Sequence, residues 1–505
     1  MNFFELLKSR FPAKGPCLTV PGGRSWRYDE IETLSAQIAG ALIEAGAEPG
    51  QRIAVQVDKS AENVALYLGA MRAGLAYVPL NTAYTENEVA YFLGDAAPTI
   101  FVCRPGSEAA LAPVAEKANV KSVLTLGANG EGTLIERAED AIPYNEITPR
   151  DLDDLAAILY TSGTTGRSKG AMLSHDNLAS NALALHHIWG FRPGDILLHA
   201  LPIFHIHGLF VALHTAMLNG SEMIFLPGFD VKKVREGLTR ATILMGVPTF
   251  YSRLLAEPDF GKEDCASVRL FISGSAPLTV ETFNAFEERT GHRILERYGM
   301  SEAGMIASNP LDGERVAGTV GFALPGVSIR ITDDDGKELA AGSPGNVEVK
   351  GPNIFAGYWG MPEKTKSEFR DGWFITGDIG VLDDQQRLSL VGRGKDLIIA
   401  GGYNIYPIEI EQVLDAVPGV SESAVIAAPH PDMGEGVVAV LVRDQSQAAP
   451  DEAALQQALE GLAKFKRPRR FFWVDALPRN TMGKVQKQVL REQFKDAFGP
   501  AHQSP

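Results

Sequence analysis

From Arg52 to Glu296 the sequence alternates apolar runs of strand length with segments of helical period, and that alternation limits the fold more than any other feature. Arg52 to Val57 reads as a strand, Ala61 to Ala73 as an amphipathic helix, and Ala76 to Leu80 as the next strand. The order returns with Ile196 to Ala200, Gly208 to Leu218, Met223 to Leu226, Val231 to Arg240 and Thr242 to Met245. It continues through Val268 to Ile272, Val280 to Arg289 and Arg293 to Glu296. Repeated βα units of this kind form parallel sheet covered by helices. A large α/β domain is therefore expected.

The character changes after about Gly318. Val327 to Thr332 and Asn346 to Lys350 read as strands, with the turn Asp333-Asp334-Asp335-Gly336 following the first and no good helix between them. A small antiparallel sheet or β-barrel is expected over about 318–394, completing an N-terminal domain of residues 1–394. From Lys395 the chain mixes helices (Ile408 to Ala416, Glu452 to Leu462) with strands (Glu422 to Ala427, Val437 to Val442, Arg470 to Val474). Residues 395–505 thus read as a separate α+β domain, of a size that folds alone.

At 505 residues, with 45% hydrophobic and 22% charged, the chain fits two or three ordinary globular units. Its 47 Lys+Arg against 62 Asp+Glu leave a formal charge of −15, which disfavours nucleic acid and acidic membranes as partners. Cys17, Cys103 and Cys265 lie far apart, so neither a disulfide framework nor a zinc site is written here. Glu5 and Lys8 interrupt the apolar start, and no run is long enough to span a bilayer. A cytoplasmic enzyme is expected, of unspecified oligomeric state.

The strongest local signal is Tyr160-Thr161-Ser162-Gly163-Thr164-Thr165-Gly166-Arg167-Ser168-Lys169-Gly170, which follows the apolar run Leu155 to Leu159 and precedes a helix near Ser174. Its glycines let backbone approach phosphate oxygens, its hydroxyls add donors, and Lys169 adds charge. The spacing is not that of a Walker A loop. By composition alone the segment could equally be a flexible surface loop.

This loop resembles the phosphate loop of the adenylate-forming superfamily, which holds acyl-CoA synthetases, luciferases and peptide-synthetase adenylation domains. Further matches follow in order: Pro202-Ile203-Phe204-His205, Ser273-Gly274-Ser275-Ala276-Pro277, Tyr298-Gly299-Met300-Ser301-Glu302, Thr376-Gly377-Asp378, Gly392-Arg393-Gly394-Lys395-Asp396 and Pro478-Arg479-Asn480-Thr481-Met482-Gly483-Lys484. The resemblance runs from about Ser25 to Arg491 and implies that 1–394 is an AMP-binding domain and 395–505 a mobile one. The implied activity joins a carboxylic acid to ATP as acyl-AMP and passes the acyl group to coenzyme A.

The resemblance also assigns roles. Thr161, Ser162, Gly163, Thr164, Thr165, Gly166 and Lys169 would surround the phosphates. Gly274, Ser275 and Ala276 would approach adenine, with Tyr298 stacked on it and Gly299, Met300 and Ser301 alongside. Glu302 would hold Mg²⁺, Asp378 the ribose hydroxyls, and Arg393 the sugar or a phosphate; a surface ion pair is the plain alternative for the last two. Lys484 would bridge the attacking carboxylate and the α-phosphate, with Lys487 a solvated neighbour. Lys395 would be the hinge about which the C-terminal domain swings to bring Gly401 and Gly402 to the CoA channel, although two glycines there also make a plain turn.

The acyl pocket is expected near Phe204, His205 and His207, with His205 gating the carboxylate. Arg297 stands where many relatives have an uncharged residue. A guanidinium there would pair with a second, non-reacting carboxylate. Leu295 to Met300, with Tyr77 to Tyr84, His199 to Gly208 and Leu244 to Tyr251, is most similar to malonyl-CoA synthetases. That points to malonate or methylmalonate. A broader acyl- or aryl-CoA ligase, with Arg297 paired to Glu296 as scaffold, is the alternative, and a module that loads a carrier protein is a third.

Overall fold

The computed structural model describes residues 1–499 apart from 162–167, 401–402, 431–432 and 481–482. Two sheets carry the first three hundred residues. In the nine-stranded one, Pro16–Thr19, Glu222–Phe225, Ile196–His199, Ile243–Gly246, Leu270–Ser273 and Leu295–Met300 run parallel in that spatial order. Gly304–Ser308 and Phe322–Ala323 extend it antiparallel beyond Leu295–Met300. In the seven-stranded sheet Ser122–Thr125, Ile100–Cys103, Arg52–Gln56, Ala76–Pro79 and Leu155–Thr161 are parallel. Apolar strands such as Ile-Leu-Met-Gly, buried at every position, pair this way because helices cover both faces.

Two local features depart from the expected pattern. The Gly/Ser/Thr loop leads not directly to a helix but to a strand, Lys169–Ser174, antiparallel to Leu155–Thr161 with Ile158 opposite Met172. The helix His175–Ile188 then starts from the Ser174 cap, so the loop joins two strands of a hairpin. Gly170 and Ser174 are weak strand formers, and the pairing comes from neighbours on both sides: Gly357–Tyr358 closes the edge and the Trp359 backbone bonds to Gly170. The second departure is His207–Leu213, which forms a π-helix before the α-helix His214–Asn219. Gly208 lies so close to the Pro202 carbonyl that a Cβ there would sit 2.0 Å from the oxygen. A widened turn of this kind often marks a functional segment.

After residue 320 the strands Ser328–Thr332, Gly345–Lys350, Trp373–Leu382, Phe369–Arg370 and Leu388–Arg393 form a wholly antiparallel sheet. It is a half-barrel, because Ser328–Thr332 and Leu388–Arg393 do not pair with each other to close it. The short helix Pro362–Ser367 interrupts it. The last sheet, from Ile398–Ala400 to Arg470–Val474, packs apolar clusters of its own on both faces, with helices Pro407–Asp415, Glu452–Ala458 and Lys487–Gln493.

The hairpin Leu295–Met300/Gly304–Ser308 leaves no room for a side chain at Gly299, where a Cβ would meet the Gly304 carbonyl oxygen at 2.3 Å. Gly299→Ala should therefore destabilise the protein by about 1–3 kcal/mol in a denaturant titration, as overpacked sites do. An unchanged midpoint would show that the hairpin yields freely.

Candidate active site

Parallel strands of an open α/β sheet present their carboxyl ends on one edge, where ligands bind. Here Ile196–His199, Ile243–Gly246, Leu270–Ser273 and Leu295–Met300 run together, and the segments leaving them bring His205, His207, Tyr251, Ser275 and Arg297 into one cluster.

Glu296 and Arg297 are adjacent on a strand and so point to opposite faces. Glu296 accepts a hydrogen bond from the Leu278 backbone N–H at 3.1 Å, and burial pushes its carboxyl up to about 8. It does not pair with Arg297. The guanidinium of Arg297 is 3% exposed, and its Nε and Nη2 have no hydrogen-bond partner among the described residues. It lies where a Cβ on Gly274 would be, 2.4 Å from Cζ, so glycine at 274 is what admits it. Burial pulls Arg297 down to about 9, with Tyr251 opposing, and it stays charged at neutral pH.

His205 and His207 are held neutral. Burial brings His205 down to about 3, and the charges of Lys484 and Arg297 act the same way. Burial, then Arg297, also lowers His207 well below the usual imidazole range. The His207 backbone N–H donates to His205 Nδ1 at 3.3 Å, which leaves the proton of His205 on Nε2. His207 Nδ1 lies 3.2 Å from Ser275 Oγ, while its Nε2 is buried without a partner among the described residues. Ser275 adopts φ +71°, a left-handed backbone costly for serine. Beside it Ala276 is partly open to solvent.

A second group is built by the half-barrel sheet. Asp378 and Arg393 face each other across two strands, with Nε and Oδ1 3.3 Å apart, and the Tyr298 hydroxyl donates to Asp378 Oδ2. Asp378 is buried while Arg393 is largely open, so this is a half-sunk pair rather than a surface one. Tyr298 is buried and bonded, not a purely apolar core ring.

Glu302 belongs to a third group. It is buried, accepts a hydrogen bond from the Tyr358 hydroxyl at 3.0 Å, and burial raises its carboxyl. Lys169 Nζ sits 4.3 Å above the Tyr358 ring and 3.9 Å from Glu368. The Thr161 hydroxyl donates to the Lys169 carbonyl at 3.4 Å. Met300 and Ser301 are half-buried at the hairpin turn. Among the described residues no cluster of three or more carboxylate, histidine or cysteine side chains could hold a metal. Glu302 could therefore supply one oxygen ligand, with phosphate and water completing the shell, as suits Mg²⁺.

Lys484 arrives from the C-terminal sheet's own loop. Its backbone N–H bonds to Asn480 Oδ1 at 3.0 Å, and Gly483 abuts Thr249, 3.3 Å from where its Cβ would be. The ammonium lies among Arg393, Asp378, Arg297 and Glu302, all of which act on its titration. Lys487 is not solvated: it pairs with Glu411 at 2.6 Å, half-buried. Lys395 lies outside the cluster, in the turn Gly394–Asp396 between the half-barrel and the last sheet. Ser162, Gly163, Thr164, Thr165, Gly166, Gly401 and Gly402 lie outside the described residues. Sequence reasoning missed Tyr358 as the partner of Glu302 and Thr249 as a neighbour of Gly483, since a lone aromatic or threonine carries no spacing signal.

Residues 8–359 match the AMP-binding enzyme family and residues 409–484 the AMP-binding enzyme C-terminal domain. The crystal structure of ATP-bound MatB from Rhodopseudomonas palustris is 54% identical, with a TM-score of 0.96 over 98% of this chain and 99% of that one. Apo MatB, at the same identity and coverage, superposes less well, with a TM-score of 0.85. A malonate–CoA ligase of Arabidopsis thaliana is 35% identical over 98% of this chain and 90% of its own length. The long-chain-fatty-acid–CoA ligase FadD13 of Mycobacterium tuberculosis is 33% identical over 92% of this chain and 93% of its own.

Burial, reinforced by Arg393, pulls the Lys484 amine from 10.5 down to about 8. Trace acylation of the nucleotide-free protein, read by mass spectrometry, should label Lys484 with a midpoint near pH 8. A midpoint near that of free lysine would show that Lys484 does not occupy this site in solution.

Proposed function

The chain belongs to the AMP-binding enzyme family, and from that premise we propose that it joins malonate to coenzyme A, using ATP and releasing AMP and pyrophosphate. The carrying observation is Arg297: a buried guanidinium with open donors, beside two neutral histidines, with no carboxylate paired to it among the described residues. A dicarboxylate meets that need and a monocarboxylate does not, because a buried cation is stable only when paired. The likeness to malonate–CoA ligases supports the same reading. Methylmalonate, which adds one methyl group, belongs to the same class.

One carboxylate of malonate would pair with Arg297 while the other turns toward the α-phosphate. His205, neutral with its proton on Nε2, can donate to the reacting carboxylate without adding charge. Tyr298 and Asp378 would meet the nucleoside, and Lys169 and the loop before it the phosphates. Mg²⁺, held by Glu302, would neutralise phosphate charge. Lys484 would place its ammonium between the carboxylate and the α-phosphate, where negative charge builds. We assign residues 1–394 to the nucleotide-binding domain and 395–505 to a domain that pivots at Lys395, carrying Gly401 and Gly402 to the thiol channel. The better superposition on ATP-bound than on apo MatB supports reading the present arrangement as the adenylating one.

Lys484→Ala should lose acyl-AMP formation by several orders of magnitude, yet still convert supplied acyl-AMP and CoA to thioester. Equal loss of both half-reactions in a folded variant would refute the assignment.

Arg297→Met tests the substrate. Removing one member of a buried charge pair costs about 2–5 kcal/mol, so kcat/KM for malonate should fall by roughly 30-fold to several-thousand-fold. Activity with butyrate should hold or rise, because apolar volume replaces a charge. Lys at this position should rescue only in part, since it lacks the planar fork. Equal losses for malonate and butyrate would return Arg297 to the scaffold and remove the main support for malonate.

A further inference from the structure

The widened helix His207–Leu213 is held by side chains from outside the acyl cluster. A π-helix is rare and seldom runs beyond a single turn, and here its carbonyl groups find donors from elsewhere. The Thr215 hydroxyl donates to the Val211 carbonyl at 2.7 Å. The Gly208 carbonyl lies 2.9 Å from His199 Nε2 and can only accept, so Nε2 carries the ring proton. His199 Nδ1 is then a bare acceptor, and it faces Lys59 Nζ at 2.9 Å. Lys59 also donates to the His199 carbonyl at 2.8 Å, which fixes both the ring and its tautomer.

The far end is tied in the same way. His214 directly follows Leu213, and its Nε2 lies 2.8 Å from the Tyr67 hydroxyl, with the two rings stacked 5.7 Å apart. Burial keeps both histidines neutral, His199 well below the usual imidazole range and His214 down at about 3. Lys59 directly precedes the Ser60 cap of the helix Ala61–Arg72, and Tyr67 lies about two turns along it. Every residue of that helix except Glu62 is buried, so it is a fixed part of the core. One helix thus splints both ends of the widened one.

The splint decides where His207 points. His207 opens the widened helix, and its Nδ1 meets Ser275 Oγ at 3.2 Å. Closing the segment to an ordinary α-helix would shift its register by one residue and turn His207 by about 100° about the helix axis, away from Ser275. We propose that Lys59 and Tyr67 are positioning residues of the acyl site: acting through His199 and His214, they keep the helix widened and so fix where His207 stands against the acid. This rests on the reading that His207 borders the acyl pocket. With the splint loosened, the wall at His207 recedes, and the pocket admits a substituent on the α-carbon of the acid more readily than the wild type does.

Steady-state kinetics of full-length Tyr67→Phe and Lys59→Met test this. The wild type is first assayed across short acids. A preference for an acid other than malonate would count against the malonate reading alone, and the comparison would then run on that acid and its α-methyl homologue. Losing one buried hydrogen bond shifts an equilibrium by roughly two- to twelvefold. The ratio of kcat/KM for malonate over methylmalonate should therefore fall by at least about threefold in each variant, with KM for ATP within about twofold of the wild type. A smaller fall in folded Tyr67→Phe would overturn the proposal. So would a KM for ATP that rises in step with KM for the acid, because a merely structural residue loosens every site alike. Should Lys59→Met fail to fold by near-UV circular dichroism, Tyr67→Phe, which removes a single oxygen, decides alone.

Discussion

Two cations, the buried Arg297 and the half-buried Lys484, set the terms for everything around them. Neither has a carboxylate in direct contact among the described residues, and burial lowers the pKa of each. A fold tolerates such groups only if their surroundings are fixed by something else. For Arg297 that something is the strand register, which aims Glu296 away, together with the absent side chain at Gly274. For Lys484 it is the bond of its backbone N–H to Asn480, together with the close approach of Gly483 to Thr249 on the helix Pro248–Leu255. The neutral state of His205 follows first from its burial, and the positive surroundings act in the same direction. The site is thus electrostatically incomplete without an anion, and substrate can supply what the protein withholds.

Much of this was legible in the chain. The alternation from Arg52 onward predicts the parallel sheets because buried parallel strands must be apolar on both faces, and strands such as Ile243–Gly246 are. Asp378 and Arg393 come from separate motifs fifteen residues apart, and the antiparallel register sets them opposite each other. Other features were hidden for physical reasons. The strand Lys169–Ser174 exists through its neighbours rather than its own composition, so no local rule finds it. Lys487 looked like a solvated charge because its partner, Glu411, lies on another helix. The choice between Arg297 as scaffold and as ligand could not be read from adjacency to Glu296. In a strand, adjacency means opposite faces, and burial without a partner is visible only in three dimensions.

The groups at the nucleotide end differ from those at the acyl end in one respect. Asp378 is already bonded by Tyr298 and paired with Arg393, and Glu302 by Tyr358. These carboxylates are held in place before any ligand arrives, so they lose little freedom when they exchange partners. Arg297 holds donors open instead, and His207 leaves Nε2 without a partner among the described residues. A nucleotide would replace existing bonds, whereas an acid would create new ones, and the second half carries more of the discrimination.

Sinking the cations also changes how the molecule looks from a distance. With a formal charge of −15, the far field is repulsive to the phosphates and carboxylates this site is built to take. The attraction of Arg297 and Lys484 is felt only at close range, within about one Debye length, roughly 8 Å at physiological ionic strength. Moderate salt would screen the long-range repulsion before it reaches the sheltered pocket. Capture of anions would then quicken as ionic strength rises from low values, opposite to the behaviour of a basic cleft worn on the surface.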